Sequence, residues 1–90
     1  MLREGRHQCP CCDYYTLNAR GRHDVCPACF WEDDGIDLKD LDGISSANHI
    51  SLRLGRSNFA RHGAADEAAV SLVVPGAELL GLRRELRAPG

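Results

Sequence analysis

Five cysteines carry the chemistry that can be read from this chain. Four form two pairs, Cys9-Pro10-Cys11-Cys12 and Cys26-Pro27-Ala28-Cys29, in the pattern C-x2-C-x13-C-x2-C. A tetrahedral metal needs four donors converging on one point, and each CxxC turn aims two sulfurs there. The proline at the second position of each turn fixes its own φ and pre-shapes the turn. The expected cofactor is therefore one Zn(II) ion held by Cys9, Cys12, Cys26 and Cys29. Four thiolates leave no open coordination position, so such an ion builds structure and does not hydrolyse a substrate. Iron accepts the same donor set, and a redox dithiol pair has the same spelling.

Cys11 is the spare. It stands between two ligands and reads either as a packing group or as a reactive thiol that exchanges with them. A thiol beside an anionic cluster has its pKa raised, which makes it a poor nucleophile. His7 and His23 lie close in sequence to Cys9 and Cys26, as donors to sulfur or as ordinary surface histidines. His49 and His62 carry no partner pattern. Asp13 follows the first pair, where glycine often supplies a positive φ that aspartate tolerates better than most residues. Phe30 and Trp31 follow the second pair. They are expected to pack against the hairpin and shield the sulfurs, with a stacking or peptide-binding platform as the alternative.

These residues need elements to position them. Residues 7–31 form the metal module. Tyr14-Tyr15-Thr16-Leu17 is β-prone, Asn18-Ala19-Arg20-Gly21 reads as a turn, and Arg22 to Val25 as the returning strand. That hairpin would bring the two cysteine knuckles together, the arrangement of a zinc ribbon. Residues 32–50 read as loop, broken by Gly35 and Gly43. A helix is expected over 51–62, with Ser51 as N-cap, Gly63 as C-cap, and Leu52, Gly55 and Phe59 on one buried face. Gly55 is unfavourable there by roughly 1 kcal/mol relative to alanine, either as a tolerated weakness or as a mark of close packing. In the tail, 66–90, Val70 to Val74 reads as a strand stopped by Pro75-Gly76. Ala77 to Arg87 reads as a second helix with Leu79, Leu82 and Leu86 on one stripe. The expectation is a single small α+β domain over 1–90: a zinc-ribbon-like β-hairpin with two knuckles, packed with one or two helices.

A chain of 90 residues buries a limited core, so a metal staple is physically sensible. Its formal charge of −2 becomes two units more negative once four thiolates and one divalent ion are counted, which argues against nonspecific nucleic-acid binding. Seven acids crowd Asp24 to Asp42 against Lys39 alone, whereas Arg53, Arg56 and Arg61 stand in a stretch with no acid. The acidic stretch reads as a solvated loop or as a surface for a basic partner. Residues 1–6 hold no apolar signal core, and the run Val70 to Val74 is too short to span a bilayer. A cytoplasmic protein is expected, with no membrane association, and in a reducing compartment paired CxxC units favour metal over disulfides.

Taken in order, Cys9-Pro10-Cys11-Cys12, Thr16-Leu17, Cys26-Pro27-Ala28-Cys29 and Trp31-Glu32-Asp33-Asp34 resemble the bacterial cysteine-rich CPCC domain. The stretch Ser51-Leu52, Arg56-Ser57-Asn58-Phe59 and Gly63 is similar to that family's helix. The resemblance covers about residues 7–65, with Asp13 where glycine is common and Gly55 where alanine is common. It implies cysteine ligation at Cys9, Cys12, Cys26 and Cys29 in a small zinc-ribbon-like domain, and it supplies no substrate. The polar Trp31–Asp34 and Arg56-Asn58 signatures suggest a brace between ribbon and helix through an Arg56–carboxylate contact.

No catalytic constellation, phosphate-binding loop, paired-histidine signature or calcium loop is present. The leading expectation is a non-enzymatic structural-zinc module that binds another protein, one with a basic surface. The alternatives are a thiol-redox or zinc-sensing protein using Cys11, and a nucleic-acid-binding ribbon using Arg53, Arg56 and Arg61 with Tyr14 or Tyr15 stacking.

Overall fold

The computed structural model describes residues 5–73 and 81–87. The two cysteine pairs each sit at the tip of their own small hairpin. Strand β1, His7–Gln8, pairs antiparallel with β2, Tyr15–Leu17, with a register irregularity between His7 and Gln8, and the first CxxC turn joins them. The second CxxC turn is flanked by an isolated antiparallel bridge between Val25 and Glu32.

This differs from the expected pairing of residues 14–17 with 22–25. The segment after Gly21 pairs forward instead: His23 N–H donates to the Asp33 carbonyl at 2.8 Å, and Asp33 N–H to the Asp24 carbonyl at 2.9 Å. The partner that Tyr15–Leu17 does find lies before the first knuckle, not after the turn.

Helix α1 spans Leu52–His62. The Ser51 hydroxyl accepts from Leu54 N–H, and Gly63 ends the helix at φ 85° with its N–H on the Phe59 carbonyl. A side-chain oxygen at the start and a left-handed glycine at the end are how a helix satisfies its orphan backbone groups. Leu52 and Gly55 are buried on its inner face. A Cβ on Gly55 would stand 2.8 Å from Trp31 Cζ3 and 3.3 Å from Cys11 Sγ. Glycine is therefore the residue that lets the helix backbone approach the indole.

Two expectations for the tail are corrected. Glu67–Leu72 is a 3-10 helix, not the beginning of a strand; the Asp66 side chain caps it at Ala68 N–H. Residues 81–87 are not helical. Tyr14 and Arg84 form an antiparallel bridge, and Tyr15 N–H donates to the Arg83 carbonyl at 2.9 Å. A short isolated helix is marginal in water, whereas the extended segment finds backbone partners along β2. Leu86 is 76% exposed, so the expected leucine stripe is not a buried face there. Val74 and Leu79 lie outside the described residues.

The core is built on the metal module. Cys9, Cys11, Cys12, Leu17, Cys26, Ala28, Cys29, Trp31 and Leu52 pack as one buried cluster. Among the described residues no helix is long and apolar enough to cross a membrane.

Candidate metal centre

The two CxxC turns have the same backbone pattern. Cys9 N–H donates to the Tyr14 carbonyl at 2.8 Å, and Cys26 N–H to the Trp31 carbonyl at 2.9 Å. Asp13 N–H returns to the Cys9 carbonyl, and Phe30 N–H to the Cys26 carbonyl. The residue after each second cysteine is left-handed, Asp13 at φ 70° and Phe30 at φ 69°. Aspartate tolerates this region, but for phenylalanine it is unfavourable by roughly 1–2 kcal/mol.

These turns bring four sulfurs together. The Sγ atoms of Cys9, Cys12, Cys26 and Cys29 all lie within 4.8 Å of one another, and all four residues are buried. Cys9 and Cys29 are 3.7 Å apart at sulfur, as are Cys12 and Cys26. Four sulfurs bound tetrahedrally at about 2.3 Å would stand about 3.8 Å from each other. The donor set and its spacing therefore fit one tetrahedral metal ion.

Protonation follows the same geometry. Burial pushes the Cys9, Cys12 and Cys29 thiols above their usual range. Hydrogen bonds from Cys12, then Cys29 and Cys9, hold the Cys26 thiol well below it, and Thr16 adds to them. Thr16 Oγ1 stands 2.9 Å from Cys26 Sγ, where a hydroxyl donates to a thiolate. This threonine takes the place that His7 and His23 were considered for. His7 lies in β1, half-buried, and His23 is exposed with Nδ1 on Glu32.

Around the sulfurs runs a shell of arginines. Arg56, from α1, forms a two-pronged pair with Asp13, Nη1 to Oδ1 and Nη2 to Oδ2, both at 2.9 Å, and also donates to the Pro10 carbonyl. Arg87 donates from its backbone N–H and Nε to the same carboxylate, and from Nη2 to the Cys9 carbonyl. Arg84 Nε reaches the Cys12 carbonyl, with its guanidinium stacked over Tyr14 and Phe59. Burial opposes ionisation of Asp13, but the Arg56 and Arg87 hydrogen bonds outweigh it and hold its carboxyl below the usual range. The first knuckle thus has its Cys9, Pro10 and Cys12 carbonyls covered by cations.

The expected Arg56 brace exists, but its carboxylate is Asp13 and not one of Glu32, Asp33 or Asp34. Asp33 is fully buried and takes Arg20 and Gly21 N–H instead. Asp34 accepts from Ser45, Asp37 caps Leu38 and pairs with Arg20, and Asp42 pairs with Arg53. The acidic stretch is thus an organiser of its own loops rather than a uniform solvated face. Its acids are spaced as caps and clamps, a signal that charge counting hides. Arg84 and Arg87 carried no signal, because their acceptors, the Cys9 and Cys12 carbonyls and the Asp13 carboxylate, lie 72 to 78 residues away in sequence.

Cys11 is 2% exposed and sits against Gly55, which supports its packing role over that of an accessible thiol. Of the residues considered for a nucleic-acid face, Arg53 and Arg61 are exposed, Arg56 pairs with Asp13, Tyr15 is buried, and Tyr14 packs edge-on against Phe59. Trp31 is buried as expected, but Phe30 is 40% exposed.

Against known proteins, the family model of cysteine-rich CPCC matches residues 7–78. No curated protein and no solved structure matches the chain.

Proposed function

The chain belongs to the cysteine-rich CPCC family, and we propose that it is a non-enzymatic module stapled by one structural zinc ion, with binding of another protein as its task. One observation carries the reading: the four cysteine residues at tetrahedral spacing are 0–1% exposed. A metal held there has all its positions filled by sulfur and no surface open to a substrate. Zinc is favoured because four thiolates without a geometric demand from the ion are its usual structural site, while iron shares the donor set. A thiolate site of this kind suits a reducing compartment such as the cytoplasm.

Protein binding is supported by what the core leaves uncovered. Val25, Phe30 and Leu72 are left exposed on a structure whose small core would gain from burying them.

Native mass spectrometry with elemental analysis of protein purified without added metal tests the metal. One zinc, with four thiol protons displaced, is the expected result; no metal, or a mixture of disulfides, overturns it. The binding role is tested by crosslinking the tagged metal-loaded protein in its own cells. A stoichiometric, salt-sensitive complex with a basic protein is expected, and recovery of the chain alone overturns that part.

A further inference from the structure

Three of the seven exposed large apolar residues among the described residues gather at one place. A groove of about 290 Å³ lies between the hairpin of the second knuckle and the 3-10 turn Glu67–Leu72. Trp31, Ala65 and Ala69 line it and are buried, whereas Val25, Phe30 and Leu72 line it and are 44%, 40% and 60% exposed. Phe30 is the residue held in left-handed backbone, where a glycine would be relaxed, yet its ring does not fill the core. Large apolar side chains gathered around one concavity mark an interaction surface.

Three details select the occupant. The charged residues lining the groove are Glu32 and Asp66, with no lysine or arginine. Each uses one carboxylate oxygen internally, Glu32 Oε2 on His23 and Asp66 Oδ1 on Ala68 N–H, which leaves the other for a cation.

The backbone supplies the second detail. The hydrogen bonds Cys26 N–H to Trp31 and Asp33 N–H to Asp24 flank the Val25–Glu32 bridge, so both residues turn their own N–H and C=O outward. On the Glu32 side the Asn48 amide closes both groups, at 2.9 and 2.8 Å. On the Val25 side no group among the described residues does so. An unpaired N–H and C=O beside an apolar groove is what an extended peptide completes.

Thirdly, Trp31 presents its Cζ3 edge to Gly55, and its Nε1–H, on the other edge, is buried without an acceptor among the described residues.

We propose that this groove docks an extended segment of another protein, which pairs with Val25, inserts an apolar side chain beside Phe30 and Leu72, and places basic residues against Glu32 and Asp66. The inference rests on the binding-module reading and names the site and partner chemistry for it.

The test is an NMR titration of 15N-labelled, zinc-loaded protein with an eight-residue peptide: a central Leu-Phe, two arginines on each side, and one glycine at each end. One control replaces the arginines with glutamates, and another replaces Leu-Phe with serines. Saturable shifts are expected at Val25, Phe30, Leu72 and the Trp31 indole N–H, with both controls at least tenfold weaker. Phe30→Asn, which suits the left-handed backbone, and Leu72→Ser should each weaken binding at least tenfold, with zinc content and thermal midpoint retained. Absence of saturable binding overturns the proposal, as does equal binding of the glutamate or serine peptide. Shifts confined to another face overturn the groove while leaving a binding module in place. If the same signals move when the protein alone is concentrated, and sedimentation shows a dimer, the occupant is a second copy and the proposal falls. Loss of zinc from the unsubstituted protein is a separate failure, that of the structural-metal reading.

Discussion

Arg87 grips Asp13 across 74 residues of sequence, donating from its backbone N–H and its Nε, each at 2.9 Å. Asp13 is 1% exposed and Arg56 closes on it from the other side. A carboxylate this deep is tolerable only while its partners stay in place. Arg56→Ala should therefore destabilise the metal-loaded protein by roughly 3 kcal/mol. Arg87→Ala, which removes the more exposed partner, should cost about 2 kcal/mol. Asp13→Gly separates backbone from clamp. Glycine is the easier residue at φ 70°, but both arginines lose their carboxylate. Net destabilisation is expected in urea melts; a stabilised Asp13→Gly protein would show that the clamp adds nothing beyond the turn.

The contact between Gly55 and Trp31 sets two effects against each other. Helix propensity alone makes Gly55→Ala stabilising by about 1 kcal/mol. The added methyl would stand 2.8 Å from Cζ3 and 3.1 Å from Cε3 of an indole that is fully buried. A ring locked in the core cannot give way as a surface side chain does, and overpacking typically costs roughly 1–3 kcal/mol. The packing penalty should win. Thermal melts followed by tryptophan fluorescence would read both the loss of stability and the displaced ring. A raised melting point with unchanged fluorescence would mean that the helix shifts freely.

What the sequence discloses here depends on range. Ligand spacing within Cys9–Cys12 and Cys26–Cys29 is local, and the geometry of a CxxC turn does not wait for the rest of the fold. The caps Ser51 and Gly63 are equally local. The choice of strand partner for Tyr15–Leu17 is not: β propensity marks the strand, but Asp33 draws residues 21–24 away and leaves His7–Gln8 as the mate. Arg83, Arg84 and Arg87 fit the polar face of a helix until the Tyr15 N–H is there to donate to the Arg83 carbonyl, and the knuckle carbonyls and Asp13 to accept from Arg84 and Arg87. Those partners come from contacts that no window along the chain contains.

Acid should loosen the loop that Asp37 organises. Burial opposes its ionisation, but Arg20 and the Leu38 N–H outweigh this and hold its carboxyl below the usual range. A folded pKa below the unfolded one contributes stability above the unfolded value, near 4, and loses it as pH falls through the folded value. Asp37→Asn should thus be less stable than the unsubstituted protein by about 1 kcal/mol at neutral pH. The gap should close as pH drops below about 4. Asp37 also faces Arg87 Nη1 at 3.7 Å, so denaturant melts at matched pH are compared after correcting for metal content. A gap that stays constant down to the lowest pH would exclude the carboxylate as its source.

Metal removal should expose every cysteine, Cys11 included. All five are buried in this structure, and Cys11 is wedged beside Gly55 and the indole rather than presented to solvent. Iodoacetamide should then modify none of them quickly. A chelator strong enough to take the ion leaves four converging sulfurs whose burial disfavours the charged form at Cys9, Cys12 and Cys29. The knuckles would lose the ion that joins them, and the core built around the sulfurs would open with them. Modification of Cys11 should therefore rise together with that of the other four, and with loss of helical circular dichroism from α1. Rapid labelling of Cys11 alone, with the metal still bound, would contradict its packing role and restore the case for a reactive thiol at the site.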